Sequence, residues 1–208
     1  MSTEIYLIRH GETVANREGI FRGRLDFPLN ENGLIQAEAL AEELKKVEFA
    51  AIFSSPLTRA VQTAEAVARR HNLTPIVDDG FQNINLGIWQ GKDKSEVKRD
   101  FPELWRLWDE EPENLLVPGG ERLADIRRRA RRSLDRIVED YKGKKIAIVS
   151  HRSVLKCLFA EVLNMKENYF WKFHLDTASY SILKHRKDYT IYLFNETRHL
   201  KEFVSEER

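Results

Sequence analysis

Two apolar runs in this chain, Ile5-Tyr6-Leu7-Ile8 and Ile146-Ala147-Ile148-Val149, each lead within two residues to a histidine, His10 and His151. A third, Ala50-Ala51-Ile52-Phe53, passes through Ser54-Ser55-Pro56 into a stretch of helical period whose beginning carries Arg59. In open α/β sheets, ligands bind just beyond the carboxyl ends of the strands. Arg9, His10, Arg59 and His151 are therefore expected at one sheet edge, beside a helix N-terminus that itself favours anions. That is a pocket for a dianion. A cation cluster alone would only bind phosphate, but neutral imidazole can attack phosphorus and carry the phosphoryl group covalently, replacing one difficult substitution by two easier ones. Two guanidinium forks suit the nonbridging oxygens during that transfer. A protonated His151 would add a further donor. One histidine at a strand end is most simply a satisfied polar residue; two, with two arginines, favour phosphoryl-transfer chemistry. The sequence has no carboxylate cluster at metal-ligand spacing, so the expected site needs neither metal nor cofactor.

The elements that must position these groups follow from periodicity. Residues 5–8, 51–53, 75–77 and 146–149 read as short buried strands. Ala37, Leu40, Ala41 and Leu44 form one apolar helix face, and Leu57, Ala60, Ala64, Val67 and Ala68 form another. The second helix is expected to start at Ser55-Pro56, with serine as the cap and proline at the first helical position. A longer helix carries Leu123, Ile126, Ala130, Leu134, Ile137 and Tyr141. Buried strands alternating with amphipathic helices predict an α/β fold with a largely parallel sheet covered on both faces. Residues 179–184 and 189–194, flanking His185-Arg186-Lys187-Asp188, read as an antiparallel edge hairpin. Residues 89–120, with Trp89, Phe101, Trp105 and Trp108 among acidic residues, are too long for a plain connection. They read equally as a lid or as a helical excursion that buries its own tryptophans.

The chain has 208 residues, 42% hydrophobic and 32% charged, with a formal net charge of +1. This length fits one domain over 1–208 with a core large enough for a rigid site. Near-neutral charge gives no general reason to bind nucleic acid or an anionic membrane. No apolar stretch of transmembrane length and no secretory signal is visible, so a cytoplasmic location is expected. Cys157 is the single cysteine, which excludes an internal disulfide and agrees with a reducing compartment. The arginines at 127, 128, 129, 131 and 132 fall mostly away from the apolar stripe of their helix and read as a solvated face, with Arg129 the exception.

Leu7-Ile8-Arg9-His10-Gly11-Glu12-Thr13 resembles the signature of the histidine phosphatase superfamily, the phosphoglycerate mutase-like enzymes. The similarity continues in order through Asn16, Gly23, Asp26-Phe27-Pro28-Leu29, Ser54-Ser55-Pro56-Leu57 with Arg59, Gly87 with Trp89, Pro118-Gly119-Gly120-Glu121 and Ser150-His151, nearly the whole chain. The resemblance implies that His10 becomes phosphorylated, that Arg9, Arg59 and His151 complete the phosphate pocket, and that Asn16 adds a contact to it. It also implies a three-layer α/β/α sandwich around a mixed, mostly parallel sheet, with 89–120 as part of the substrate cover.

Three features depart from the family pattern. The usual general-acid glutamate is replaced in Asn83-Ile84-Asn85-Leu86-Gly87-Ile88-Trp89, where an amide cannot supply a proton. Another acid such as Asp78, Asp79 or Glu12 could substitute, the enzyme could be confined to activated esters, or the chain could bind phosphate without turnover. Arg152 follows His151 where many relatives have glycine, and Arg22 and Arg24 flank Gly23 where uncharged residues are common. If they enter the pocket, Arg22 and Arg152 would favour a second negative charge on the substrate; taken singly, each reads more simply as a solvated loop residue, with Arg152 beginning the next helix at the surface. The expected activity is a metal-independent phosphomonoesterase acting on a small phosphorylated metabolite through phospho-His10. Phosphoglycerate mutase or phosphoserine phosphatase activity, and a weakened phosphate-binding subunit, are the alternatives. The expected partner is a small-molecule phosphate ester, with no nucleic acid and no membrane; the edge hairpin could pair two copies into a homodimer.

Overall fold

The structure is a computed structural model and describes residues 2–202. Its strands are β1 (Thr3–Arg9), β2 (Phe49–Ser54), β3 (Ile76–Val77), β4 (Lys145–Ser150), β5 (Tyr180–His185) and β6 (Tyr189–Glu196). They form one sheet in the order β3-β2-β4-β1-β5-β6. β3, β2, β4 and β1 run parallel, and the β5–β6 hairpin adds antiparallel to β1. The helices are α1 (Val14–Arg17), α2 (Glu31–Leu44), α3 (Thr58–Arg69), α4 (Lys94–Asp100), α5 (Pro102–Glu110), α6 (Leu123–Asp140) and α7 (Arg152–Val162).

Alternation along the strands divides the core in two. Tyr6, Ile8, Ile52, Ala147 and Val149 pack with α2 and α3 through Leu40, Leu44, Ala60, Ala64 and Val67. Ile5, Leu7, Phe53, Ile146 and Ile148 pack on the other face with α6 and α7 through Ile126, Leu134, Leu155 and Leu158. Each fully buried aliphatic side chain contributes roughly 1.5–3 kcal/mol of transfer free energy. The result is the three-layer α/β/α arrangement with a mixed sheet.

Two local expectations are corrected. Residues 75–77 do not form a buried strand: β3 is two residues long, and Ile76 and Val77 are both exposed at the sheet edge. The helix after β2 starts at Thr58 rather than at Pro56. Its first turn is capped from a distance, because the Asp26 carboxylate accepts from the Thr58 N–H at 2.8 Å and from its hydroxyl at 2.6 Å. Ser55 is thereby left for another role.

Residues 89–120 contain α4 and α5. Trp89 and Trp108 are buried and meet Phe21, with ring centroids 5.1 and 5.5 Å away. The segment is thus anchored by its own tryptophans. Cys157 is buried as a small apolar residue, and burial pushes its thiol up to about 12. No helix among the described residues is long and apolar enough to cross a membrane.

Candidate active site

Register explains why the two histidines meet. β1 and β4 pair in parallel with Arg9 opposite Ser150, so the next residue of each strand, His10 and His151, leaves the sheet at the same level. The His10 N–H donates to the Ser150 carbonyl at 3.0 Å, and the Ala178 N–H donates to the His10 carbonyl at 3.1 Å. The imidazoles stand 5.1 Å apart between centroids, both almost fully buried. β2 ends alongside, where the Ser55 N–H donates to the Val149 carbonyl at 2.9 Å. The close turn after His10 needs small residues: a Cβ on Gly33, in the first turn of α2, would clash with the Glu12 carbonyl.

The His10 tautomer follows from its partner. Nδ1 lies 2.7 Å from the Gly11 carbonyl oxygen, which can only accept, so Nδ1 carries the proton and the lone pair of the neutral ring is on Nε2. Burial, then the charges of Arg59, Arg9 and Arg22, hold its pKa well below the ordinary value, so the ring is neutral at pH 7. A neutral, oriented imidazole with a free Nε2 is a nucleophile.

His151 is also neutral, its pKa lowered by burial first and then by Arg59, His10, Arg22 and Arg9. Its Nε2 is 2.7 Å from the Ser55 hydroxyl oxygen, which in turn accepts from the Leu57 N–H at 3.4 Å. With the Ser55 O–H donating to Nε2, the ring proton sits on Nδ1, a buried atom with no hydrogen-bond partner among the described residues. In this tautomer neutral His151 offers a donor without being protonated.

The cavity beside the two rings has a volume of about 300 Å³. Arg9, His10, Asn16, Arg22, Asn83, His151 and Arg152 all line it, so the structure brings together seven of the eight residues singled out from sequence. Arg59 is the eighth and stands behind the wall. Fully buried, it donates to the carbonyls of Leu25 at 2.9 Å and Gly23 at 3.1 Å, and its charge acts on both imidazoles. Its Nε has no hydrogen-bond partner among the described residues. Asn16 accepts from the Thr13 N–H and hydroxyl at 2.9 and 2.7 Å, which closes the short α1 against the site.

Sequence reasoning had not placed Arg17, Lys94, Phe21 and Trp108 at the cavity, yet all line it. Lys94 and Trp108 bring the 89–120 segment to its mouth. Arg129 does not point to solvent: it pairs with Glu121 and donates to the carbonyls of Gly80 and Asn83, bracing the turn that holds Asn83. Two of the three substitute acids are engaged elsewhere. Glu12 accepts from Arg17, Asn30 and Asn32. Asp78 accepts from the Gly80 N–H and Ser133 and pairs with Arg136. Neither they nor Asp79 line the cavity, and no Asp or Glu among the described residues does.

Known proteins share this sequence and fold. The chain is similar to phosphoserine phosphatase 1 of Hydrogenobacter thermophilus, with 35% identity over 204 residues covering 98% of this chain and 97% of that protein. It superposes on Bacillus stearothermophilus YhfR with a TM-score of 0.90 at 32% identity, covering 96% of this chain and 100% of the other. For the mycobacterial glucosyl-3-phosphoglycerate phosphatase Rv2419c the TM-score is 0.87 at 28% identity, covering 93% and 99%. The sequence profile of the histidine phosphatase superfamily (branch 1) matches residues 5–197. With two strand-end imidazoles in register and this profile over nearly its whole length, the chain belongs to the histidine phosphatase superfamily.

Proposed function

We propose that this histidine phosphatase, a phosphoric monoester hydrolase, acts without a metal on a small phosphorylated metabolite through a phosphohistidine at His10. The observation that carries the reading is the pinned tautomer: Nδ1–H is held by the Gly11 carbonyl, so the lone pair is on Nε2 of a residue that lines a cavity together with Arg9, Arg22 and Arg152. In the first step Nε2 attacks the dianionic ester; the Nε2–P bond forms and the ester P–O bond breaks, its electron pair leaving on the alkoxide or phenoxide oxygen. The positive charges of Arg9 and Arg59 and the Nδ1–H of His151 stabilise the transferring oxygens. In the second step water bonds to phosphorus, the Nε2–P pair returns to the ring and a water proton passes to a phosphoryl oxygen, releasing dihydrogen phosphate. Arg22 and Arg152 add positive charge that favours a second anionic group on the substrate, and the 89–120 segment is its cover. A single domain over 1–208 and a cytoplasmic location complete the reading.

A panel of phosphate esters assayed with excess chelator, beside His10→Ala, tests this. Turnover that persists with chelator and disappears in the variant is expected. Chelator-sensitive turnover, or an unchanged rate in His10→Ala, overturns it. Transfer between the two positions of phosphoglycerate would instead support a mutase.

A further inference from the structure

We infer that the site takes phosphoryl groups carried on an acidic oxygen, as in aryl or enol esters, acyl phosphates or phosphoanhydrides, in preference to alkyl esters, because its wall, with an amide at Asn83, holds no carboxylic acid among the described residues. The inference rests on the phosphohistidine reading above and deepens it by naming the leaving group.

Asn83 is buried in the cavity wall with both ends of its amide engaged. Its Nδ2–H donates to the Gly23 carbonyl at 2.9 Å, and its Oδ1 accepts from the Ser153 hydroxyl at 2.7 Å. Gly23 is fixed in turn: its φ is +52°, a Cβ there would strike the Gln90 side chain, and the same carbonyl accepts from Arg59. The Asn83 backbone carbonyl accepts from Arg24 and Arg129, each at 3.3 Å. Asn83 therefore ties the 22–25 loop and Arg59 to the start of α7. Only a side chain with one donor and one acceptor makes both contacts; an ionised carboxylate would set an acceptor against the Gly23 carbonyl. Asn83 is a positioning residue in a place where it cannot give a proton.

No other described group in the wall is suited to the task. The His10 proton is committed to the Gly11 carbonyl, His151 is neutral, and the remaining protonated groups are guanidinium ions and the Lys94 ammonium, which are much weaker acids than a carboxyl. The leaving oxygen therefore departs without a carboxylic acid to protonate it and relies on the positive charge of Arg22, Lys94 and Arg152. A phenol, with a pKa of about 10, is a far better anionic leaving group than an alkanol, which is about as weak an acid as water.

The test is kcat/KM of the wild-type chain, with chelator, for p-nitrophenyl phosphate, phenyl phosphate and acetyl phosphate against glycerol phosphate and phosphoserine, with phosphoprotein trapped from each ester by rapid quench into alkaline denaturant. Aryl and acyl phosphates should exceed the alkyl esters by roughly a hundredfold or more, the scale of missing acid assistance. Asn83→Ala, which loses the tie but removes no acid, should slow both classes and leave their ratio unchanged. Alkyl esters within about tenfold of aryl esters, with phosphoprotein trapped from both, overturn the inference and leave the phosphohistidine reading intact. Turnover with no phosphoprotein from any ester overturns that reading and the inference with it.

Discussion

Asn83→Glu converts the cavity wall from a group that cannot release a proton to one that can, and the size of the gain depends on pH. A positioned acid accelerates departure of a poor leaving group by about 10²–10⁴, but only in its protonated fraction. With an ordinary glutamate pKa of about 4.3, roughly one carboxyl in 500 is protonated at pH 7 and one in six at pH 5. Arg59, Arg22 and Arg152 favour the ionised form and a bound phosphoryl dianion opposes it, so the ordinary value is the starting estimate. For an acid worth about 10³, the alkyl-ester gain is about threefold at pH 7 and more than a hundredfold at pH 5. The variant also loses the amide donor to the Gly23 carbonyl, which keeps Arg59 as a partner, at a cost of about 0.5–1.5 kcal/mol. A protonated carboxyl can donate to the same carbonyl, so this cost shrinks as pH falls. The assay is kcat/KM for an alkyl and an aryl ester at pH 5, 6 and 7 in wild type and variant. A ratio of alkyl to aryl rates at pH 5 equal to that of the wild type would show that position 83 does not face the leaving oxygen.

Two further outcomes follow from the same geometry. Arg59→Met removes a buried charge that acts on both imidazoles, so phosphoprotein formation should slow by about 10²–10³ and the acid limb of the rate profile should move up toward the ordinary histidine pKa; a rate within about threefold of wild type with an unmoved profile contradicts this role. Stability should fall as pH drops below about 6.5, because the unfolded chain then binds protons that the buried, pKa-lowered His10 and His151 resist, by at most about 1.4 kcal/mol per histidine between pH 7.5 and 5.5. Urea midpoints at the two pH values should show the loss in wild type and less of it in a His10→Gln, His151→Gln variant; an equal loss in both refutes the assignment.

What the sequence makes legible is what local rules determine. Apolar strands ending in histidine place His10 and His151 at the carboxyl edge, and parallel register then sets them side by side. The helix faces are equally plain, since Leu40 and Leu44 or Ile126 and Leu134 recur at helical spacing. What stays hidden depends on partners distant in the chain. Ser55 reads as a helix cap until Asp26 is seen to cap α3 and free the Ser55 hydroxyl for His151. The run at 75–77 has the composition of a buried strand, but its place at the sheet edge leaves Ile76 and Val77 exposed. Glu12 and Asp78 look available as acids because their neighbours in sequence are close to the site; their hydrogen bonds turn them elsewhere. Arg59 is recognisable as part of the constellation, yet only the fold shows it working from behind the wall through Gly23 and Leu25. The tie between Asn83 and Ser153 spans two separate elements, with no spacing in the sequence to announce it.

The central claim is a covalent bond between phosphorus and Nε2 of His10. Rapid quench into alkaline denaturant during turnover of a ³²P-labelled aryl phosphate tests it most directly. The account predicts a base-stable, acid-labile label approaching one phosphate per chain at saturation, mapping to the peptide with His10 and absent from His10→Ala. Steady turnover of the ester with no label on the protein at any quench time, or a label that persists in His10→Ala, would contradict it.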